Sequence, residues 1–257
     1  MSIVQSINLA NEMKMHGISS TLERRLAEHA NNSGEVEDLI RLLLEDERIS
    51  RKNKMTKRLI TRARFRRSCQ LEDWDQSFDR GVNKAQFKEL GLLSFYHNRE
   101  NLIIVGGTGS GKTHLAISLG HRLCTHGISN SFFSTNLLLE EVAAQKAAGK
   151  YLTFVRSLAR PGAIILDDFG LRTYNHDEAM ALMDILEERY RKGATIVTSQ
   201  VKPEGWLSLV EDRVTAEALV DRLQHPSSII QLKGGSYREK FKQKSGDKKV
   251  NSDKSQQ

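Results

Sequence analysis

The sequence predicts an α/β protein: a parallel sheet with helices on both faces, preceded by a small all-helical region. Three observations carry this expectation. From residue 101 onward, short apolar runs alternate with longer amphipathic stretches, the pattern of strands joined by crossover helices. One run, Leu102 to Val105, passes directly into a glycine-rich segment and then into the apolar-periodic stretch His114 to Leu123, which reads as strand, loop and helix. Residues 1–68 contain no proline and carry apolar residues at loose helical spacing.

In chain order, Ile3, Ile7, Met13, Ile18, Leu22 and Leu26 mark the first helical stretch, punctuated by Gly17. The Asn31-Asn32-Ser33-Gly34 cluster ends it. A second helix is expected after Ser33, with Glu35, Glu37 and Asp38 in its first turn, where the helix dipole favours them, and Leu39, Leu42 and Leu43 on its apolar face. It is expected to continue through the densest positive block of the chain, Arg51 to Arg67. Residues 71–80, with Trp74 and Phe78, read as an extended segment docked by its aromatics, placed to lie over a nucleotide base or simply to pack in the core. Asn83 to Leu93 reads as a helix. Strands are then expected at 101–105, 130–134, 163–167, 194–198 and 228–232. Helices are expected at 112–125, 136–148, 151–159, 176–191 and 215–224, with a turn near 203–210. The division is a helical region 1–68, an α/β domain 69–238 and a tail 239–257 rich in Lys, Ser, Gln and Asp, which reads as disordered.

The glycine-rich segment fits G-x-x-x-x-G-K-[ST], with Gly106, Gly111, Lys112 and Thr113 at the fixed positions. A polyphosphate needs several backbone N–H groups turned inward, so Gly106, Gly107, Gly109 and Gly111 supply curvature and close approach. The helix that starts near Gly111 adds its positive dipole end. Lys112 is expected to reach the β- and γ-phosphates, and the Thr113 hydroxyl to ligate Mg²⁺. The competing reading is a glycine-rich turn that binds nothing.

A second apolar run, Ala163 to Leu166, ends in Asp167-Asp168. In a parallel sheet the ligand crevice lies beyond the carboxyl ends of the strands, which delivers these carboxylates to the edge that carries the glycine loop. Asp167 is expected to hold Mg²⁺ and Asp168 to polarise an attacking water. The run Ala194 to Thr198 ends in Ser199-Gln200, and Gln200 is placed to sense the γ-phosphate or the water. Phosphoryl transfer also needs a cation on the transition state, often an arginine supplied in trans. Arg222 is the first candidate, Arg213 and Arg238 the others; each could instead make an ordinary salt bridge.

Composition sets limits. The chain has 257 residues and a net charge of +7, so it is drawn to polyanions. No apolar run approaches the roughly 18 residues of a membrane span, and the first residues do not read as a signal peptide. Two cysteines, Cys69 and Cys124, form neither a disulfide framework nor a ligand spacing, so a cytoplasmic location is expected. In the basic block, Lys57, Arg58, Arg62, Arg64, Arg66 and Arg67 are candidate contacts to a DNA backbone, a protein partner or a plain solvated face being the other readings.

Together, Gly106-Gly107-Thr108-Gly109-Ser110-Gly111-Lys112-Thr113-His114, Ile164-Ile165-Leu166-Asp167-Asp168-Phe169-Gly170, Ile196-Val197-Thr198-Ser199-Gln200 and Asp221-Arg222-Leu223 resemble the IstB-type ATPases. These are the ATP-binding helpers of a class of bacterial insertion sequences, similar to the DnaC helicase loaders and the DnaA initiator. The helical start with Glu45-Asp46-Glu47 running into the basic block, and Gly234-Gly235-Ser236-Tyr237-Arg238, also fit. The resemblance implies a P-loop AAA+ core without the usual helical lid. It implies ATP and Mg²⁺ as ligands, with Gly106 to His114 around the nucleotide, Thr113 and Asp167 at the metal, and Lys112, Asp167, Asp168, Gln200 and Arg222 catalytic. It further implies an ATP-dependent homo-oligomer on double-stranded DNA that recruits an IstA-type transposase. The stretch 136–160 corresponds to an inserted element that faces DNA, with Lys146, Lys150, Arg156 and Arg160 as phosphate contacts. Two departures stand out. The sensor is Gln200 where Asn is usual, and Asp168 stands where many relatives of the fold have Glu, which implies slow or partner-dependent hydrolysis. A DnaC-like helicase loader is the nearest alternative; a small-molecule kinase is the alternative of a different class.

Overall fold

The computed structural model describes residues 2–32, 35–77 and 79–235. Phe78, Arg238 and the tail 239–257, each named above, lie outside the described residues. The chain divides into two compact units: the first runs to Leu59 and takes in Thr125–Gly127, and the second takes the other described residues.

The first unit contains α1 (Ile3–Glu12), α2 (His16–Asn32) and most of α3 (Val36–Ala63). Gly17 lets α2 start against α3, because a Cβ there would lie 2.4 Å from Glu47 Cα. The buried Glu47 carboxylate accepts hydrogen bonds from the Gly17 and Ile18 N–H groups at 2.7 and 3.3 Å and so caps the start of α2. Arg25 makes a two-pronged pair with Asp46, both contacts at 2.8 Å. The Arg25 guanidinium holds the Asp46 carboxyl down, to about 2.

The helix expected to run to Arg67 ends at Ala63. Arg64 is left-handed, with φ of 57°, and turns the chain away, so Arg64, Arg66 and Arg67 are not on a helical face. Ala63 is fully buried there, and the ring of Phe65 stacks on His121 at 4.7 Å.

In the second unit a single turn at Leu71–Asp73 and the short helices α4 (Lys84–Gly91) and α5 (Ser94–His97) lead into the sheet. Asn83 and Gln86 close a reciprocal capping box that starts α4. The strands are β1 (Asn101–Gly106), β2 (Asn130–Ser134), β3 (Ala163–Phe169), β4 (Ala194–Ser199) and β5 (Ser227–Leu232). The intervening helices are α6 (Lys112–Thr125), α7 (Thr135–Ala147), α8 (Tyr151–Leu158), α9 (His176–Arg189) and α10 (Arg213–Gln224), with a short turn at Pro203–Leu209. All pairings are parallel and the order is β2-β3-β4-β1-β5.

The three central strands, β1, β3 and β4, are buried on both faces, which is why they read as continuous apolar runs. Ile103, Ile164, Leu166 and Val197 pack against α7 to α10, while Leu102, Ile104, Ile165 and Ile196 pack against α4 to α6. The fold is thus a parallel α/β sheet covered on both faces, after an all-helical start. Arg189 is a buried exception: its guanidinium is tied to the carbonyls of Leu158, Pro161 and Ala194, and burial lowers its pKa to about 10.

Candidate functional site: a phosphate loop facing two carboxylates

Because β1 and β3 run in the same direction, their carboxyl ends bring the glycine loop and Asp167-Asp168 to one edge of the sheet. The loop, Asp167, Asp168 and Gln200 line one cavity of about 520 Å³. Within the loop the glycines have different tasks. Gly109 and Gly111 are left-handed, with φ of 78° and 100°. Gly111 also lies where a Cβ would come within 3.0 Å of Arg80 Nη1 and 3.3 Å of Trp74. Gly106 is packed on Leu232 of β5, and Gly107 has open space around it.

Lys112, the first residue of α6, is buried and donates from Nζ to the carbonyls of Gly106 and Gly107 at 2.8 and 2.9 Å. Its cation therefore rests at the mouth of the loop. Thr113 Oγ1 donates to Asp167 Oδ1 at 2.9 Å, and Thr198 Oγ1 donates to the same oxygen at 2.6 Å. Burial pushes the Asp167 carboxyl above its usual range and Asp168 adds to this, while the two hydroxyls and the nearby Arg66 pull it back.

Asp167 and its neighbour would face opposite sides of a regular strand. Here β3 advances from Leu166 to Phe169 while β4 advances only from Val197 to Ser199, a bulge that holds the two aspartates. Asp168 adopts φ of 59°, its N–H donates to Thr198 Oγ1 at 3.0 Å, and its side chain lines the same cavity as Asp167. Gln200, just past β4, accepts from Thr108 Oγ1 at 2.8 Å and so touches the loop.

The oxygen set fits a small hard cation. Mg²⁺ keeps most of its waters and takes one or two protein oxygens plus phosphate oxygens, which the paired Thr113 hydroxyl and Asp167 carboxylate can supply. No cluster of three or more His, Cys, Asp or Glu side chains able to hold a metal by themselves occurs among the described residues.

The segment expected to lie near the nucleotide does reach this cavity. Trp74 is buried against Phe87 and His114, and the Arg80 guanidinium carbon stands over its indole, 3.3 Å from the ring centroid. Asp73 and Arg80 line the cavity, as do Arg66 and Arg67 from the basic block. Burial, and then the guanidiniums of Arg67 and Arg80, hold the His114 ring below the usual histidine range. Sequence reading missed Arg80, Asp73 and Thr198. Thr198 could have been noticed as a polar residue closing an apolar strand; Arg80 carries no motif.

Arg222 is elsewhere. The Asn101 side chain, at the start of β1, donates to the carbonyls of Arg222 and Leu223, so Arg222 sits at the amino edge of the sheet. There its guanidinium pairs with Glu187 of α9 and stands over the Tyr190 ring at 5.5 Å. Arg213 is exposed and paired with Glu217 within α10. Neither lines the cavity. Lys57, Arg58 and Arg62 are exposed on α3; Lys146, near the end of α7, pairs with Asp177 at 3.1 Å, and Lys150 is exposed just before α8. No described helix is long and apolar enough to cross a membrane.

A parallel sheet of this order, with a glycine loop after its first strand and a carboxylate pair at the end of its third, defines a P-loop AAA+ nucleotide-binding protein. Solved structures agree on the fold: DnaI, with a TM-score of 0.56 and 16% identity over 69% of this chain and 94% of that one, and AMPPCP-bound DnaA from Aquifex aeolicus, with a TM-score of 0.56 and 18% identity over 71% of this chain and 56% of that one. The chain belongs to the IstB-like ATP binding protein family, whose model matches residues 8–245. It is 31% identical to a protein of Pseudomonas aeruginosa named for ATP binding in insertion sequence IS21, over 93% of this chain and 90% of the relative. It is also 32% identical to a protein of Geobacillus stearothermophilus named in the same way for IS5376, over 83% and 85%.

Proposed function

We propose that the chain is an ATPase of insertion-sequence transposition: it binds ATP with Mg²⁺, assembles with copies of itself on double-stranded DNA, and recruits and stimulates an IstA-type transposase. The observation that carries the reading is the Thr113–Asp167 hydrogen bond of 2.9 Å, which joins the phosphate loop to the carboxylate strand at one point. Lys112 moves from the loop carbonyls to the β- and γ-phosphates. The N–H groups of the loop and of the α6 N-terminus carry the phosphate charge. Thr113 and Asp167 would hold Mg²⁺, which would neutralise phosphate charge there. Asp168, turned into the cavity by the bulge, orients the attacking water, and Gln200 links the γ-phosphate position to the loop through Thr108.

Arg222 cannot serve its own site from the opposite edge of the sheet, so it acts on the nucleotide of a neighbouring copy. Two separate sets of cations supply DNA phosphate contacts: Lys57, Arg58 and Arg62 on α3, and Lys146 and Lys150 between α7 and α8. Relatives named for insertion sequences favour this reading over a helicase loader.

The test is ATP turnover by the full chain with and without duplex DNA, followed by capture of an IstA-type transposase. DNA-stimulated hydrolysis, abolished by Lys112→Ala, together with ATP-dependent capture is the expected result. Phosphate transfer to a small metabolite without DNA would replace the proposal with a kinase, and capture of a replicative helicase in place of the transposase would replace it with a loader.

A further inference from the structure

We propose that Arg66 and Arg67, the last two arginines of the basic block, bind the phosphates of the nucleotide held by their own chain, and that the DNA-facing part of the block ends where α3 ends. The proposal rests on the reading of the cavity as an ATP site and adds to it two cations that no motif marks.

The first support is how these residues are placed. α3 stops at Ala63, Arg64 turns left-handed, and Phe65 inserts against α6. The fit is close: a Cβ on Gly120 would lie 2.7 Å from the Phe65 ring, and the same ring stacks on His121 at 4.7 Å. α6 is the helix whose first residues are Lys112 and Thr113. Phe65 is thus an anchor on the body of the phosphate-loop helix, and the two residues after it are held beside the front of that helix.

The second support is what they meet there. Both line the cavity with Lys112, Thr113, Asp167 and Asp168. The Arg66 guanidinium stands 5.8 Å from the Phe132 ring of β2, the strand paired with β3. Arg67 shares the cavity lining with His114, the residue after Thr113. Both arginines therefore border the space between the carboxylate strand and the front of α6.

The third support is charge. Neither Arg66 nor Arg67 makes an ion pair among the described residues, whereas each ion-paired arginine described on α2 and α3 has a carboxylate partner three or four residues away. Both are exposed, so their heads remain available to a ligand. The cavity brings Arg66, Arg67, Arg80 and Lys112 against Asp73, Asp167 and Asp168, and Mg²⁺ at Asp167 tips that balance further toward positive charge. A polyphosphate supplies the missing anion, and planar guanidiniums match its oxygens in pairs.

The experiment measures equilibrium binding of ATP, ADP and AMP to the full chain, with DNA binding without nucleotide measured alongside. The variants are Arg66→Gln with Arg67→Gln, each single change, Lys112→Ala, and Arg58→Gln with Arg62→Gln. The double change at 66 and 67 is expected to weaken ATP about tenfold or more, the scale of lost charge-assisted hydrogen bonds. ADP should weaken less and AMP hardly at all, while nucleotide-free DNA binding keeps its salt slope. The 58 and 62 change should do the reverse. Unchanged ATP affinity at 66 and 67, with Lys112→Ala still abolishing binding, would overturn the inference and leave the ATP site standing. An equal loss of ATP and AMP would also overturn it, because that pattern marks a general disturbance. Failure of the unaltered chain to bind ATP would defeat the site reading itself. The single variants decide the matter if the double variant does not fold.

Discussion

At the residue scale the phosphate loop separates glycines that are required from one that is not. All four fit the expectation that the loop needs curvature, and spacing alone cannot rank them. Backbone angles can. Gly111, at φ of 100°, occupies a region that costs a side-chain-bearing residue about 1–3 kcal/mol. It also has Arg80 and Trp74 where a Cβ would go. Gly107 has neither constraint. Gly111→Ala should therefore lose nucleotide binding and lower the melting temperature, whereas Gly107→Ala should keep its stability within about 0.5 kcal/mol, the range of ordinary surface changes, and should still bind nucleotide. Thermal melts and ATP titration of both variants check this; equal damage from the two would mean that the loop glycines act through general flexibility.

At the element scale the joint between α2 and α3 rests on few contacts. Gly17 is closed in by the α3 backbone, and Glu47 caps the start of α2. A methyl group at 17 must push the helices apart and break those bonds, so Gly17→Ala should destabilise the first unit by about 1–3 kcal/mol. The same joint sets an acid limit. Arg25 holds the Asp46 carboxyl down to about 2, and Arg51, with the N–H groups of Gly17 and Ile18, lowers that of Glu47. Both carboxyls are depressed on folding, so their contribution is complete above the ordinary carboxylate range and is lost as pH falls toward 2. Proteolysis of the 1–59 segment should rise between about pH 4 and pH 2, and Gly17→Ala should move that onset to higher pH. An onset unmoved by the substitution would place the acid-sensitive contacts elsewhere.

Elements were also where the sequence was most and least readable. The central strands are buried apolar runs and the two edge strands keep a short apolar pair, so all five were visible, and so was the carboxyl edge they share. The end of α3 was not. No glycine or proline marks Arg64, and a run of Arg and Lys gives no apolar period to lose, so the helix was expected to continue to Arg67. The bulge at Asp167-Asp168 was equally silent, because an extra residue shows only against the register of β4. A motif located the two carboxylates; only the pairing of strands explains why both face one cavity. Arg189 and Arg80 were missed for a related reason: a buried arginine satisfied by carbonyls or by an indole face has the same letter as a solvated one.

At the scale of the whole molecule, Arg222 decides whether one copy can be complete. Its carbonyl is held by Asn101 at the start of β1, and the phosphate loop begins where β1 ends. A side chain at the amino edge does not reach a phosphate at the carboxyl edge of the same sheet. If Arg222 is the arginine that stabilises charge in the transition state, a competent site must combine the loop of one copy with the arginine of another, in a head-to-tail interface. That arrangement has a signature no single-chain site can imitate. Lys112→Ala destroys the loop and keeps the arginine; Arg222→Ala keeps the loop and removes the arginine. Each alone should be inactive. Mixed in equal amounts and allowed to exchange on DNA, they place an intact loop beside an intact arginine at about a quarter of random head-to-tail interfaces, and hydrolysis should return to a comparable fraction of the unaltered rate. Recovery should vanish when both substitutions are carried on one chain. If the mixture stays as inactive as its components while both variants still join the same assemblies, Arg222 is held in its pair with Glu187 for structural reasons, and the trans cation must come from another residue.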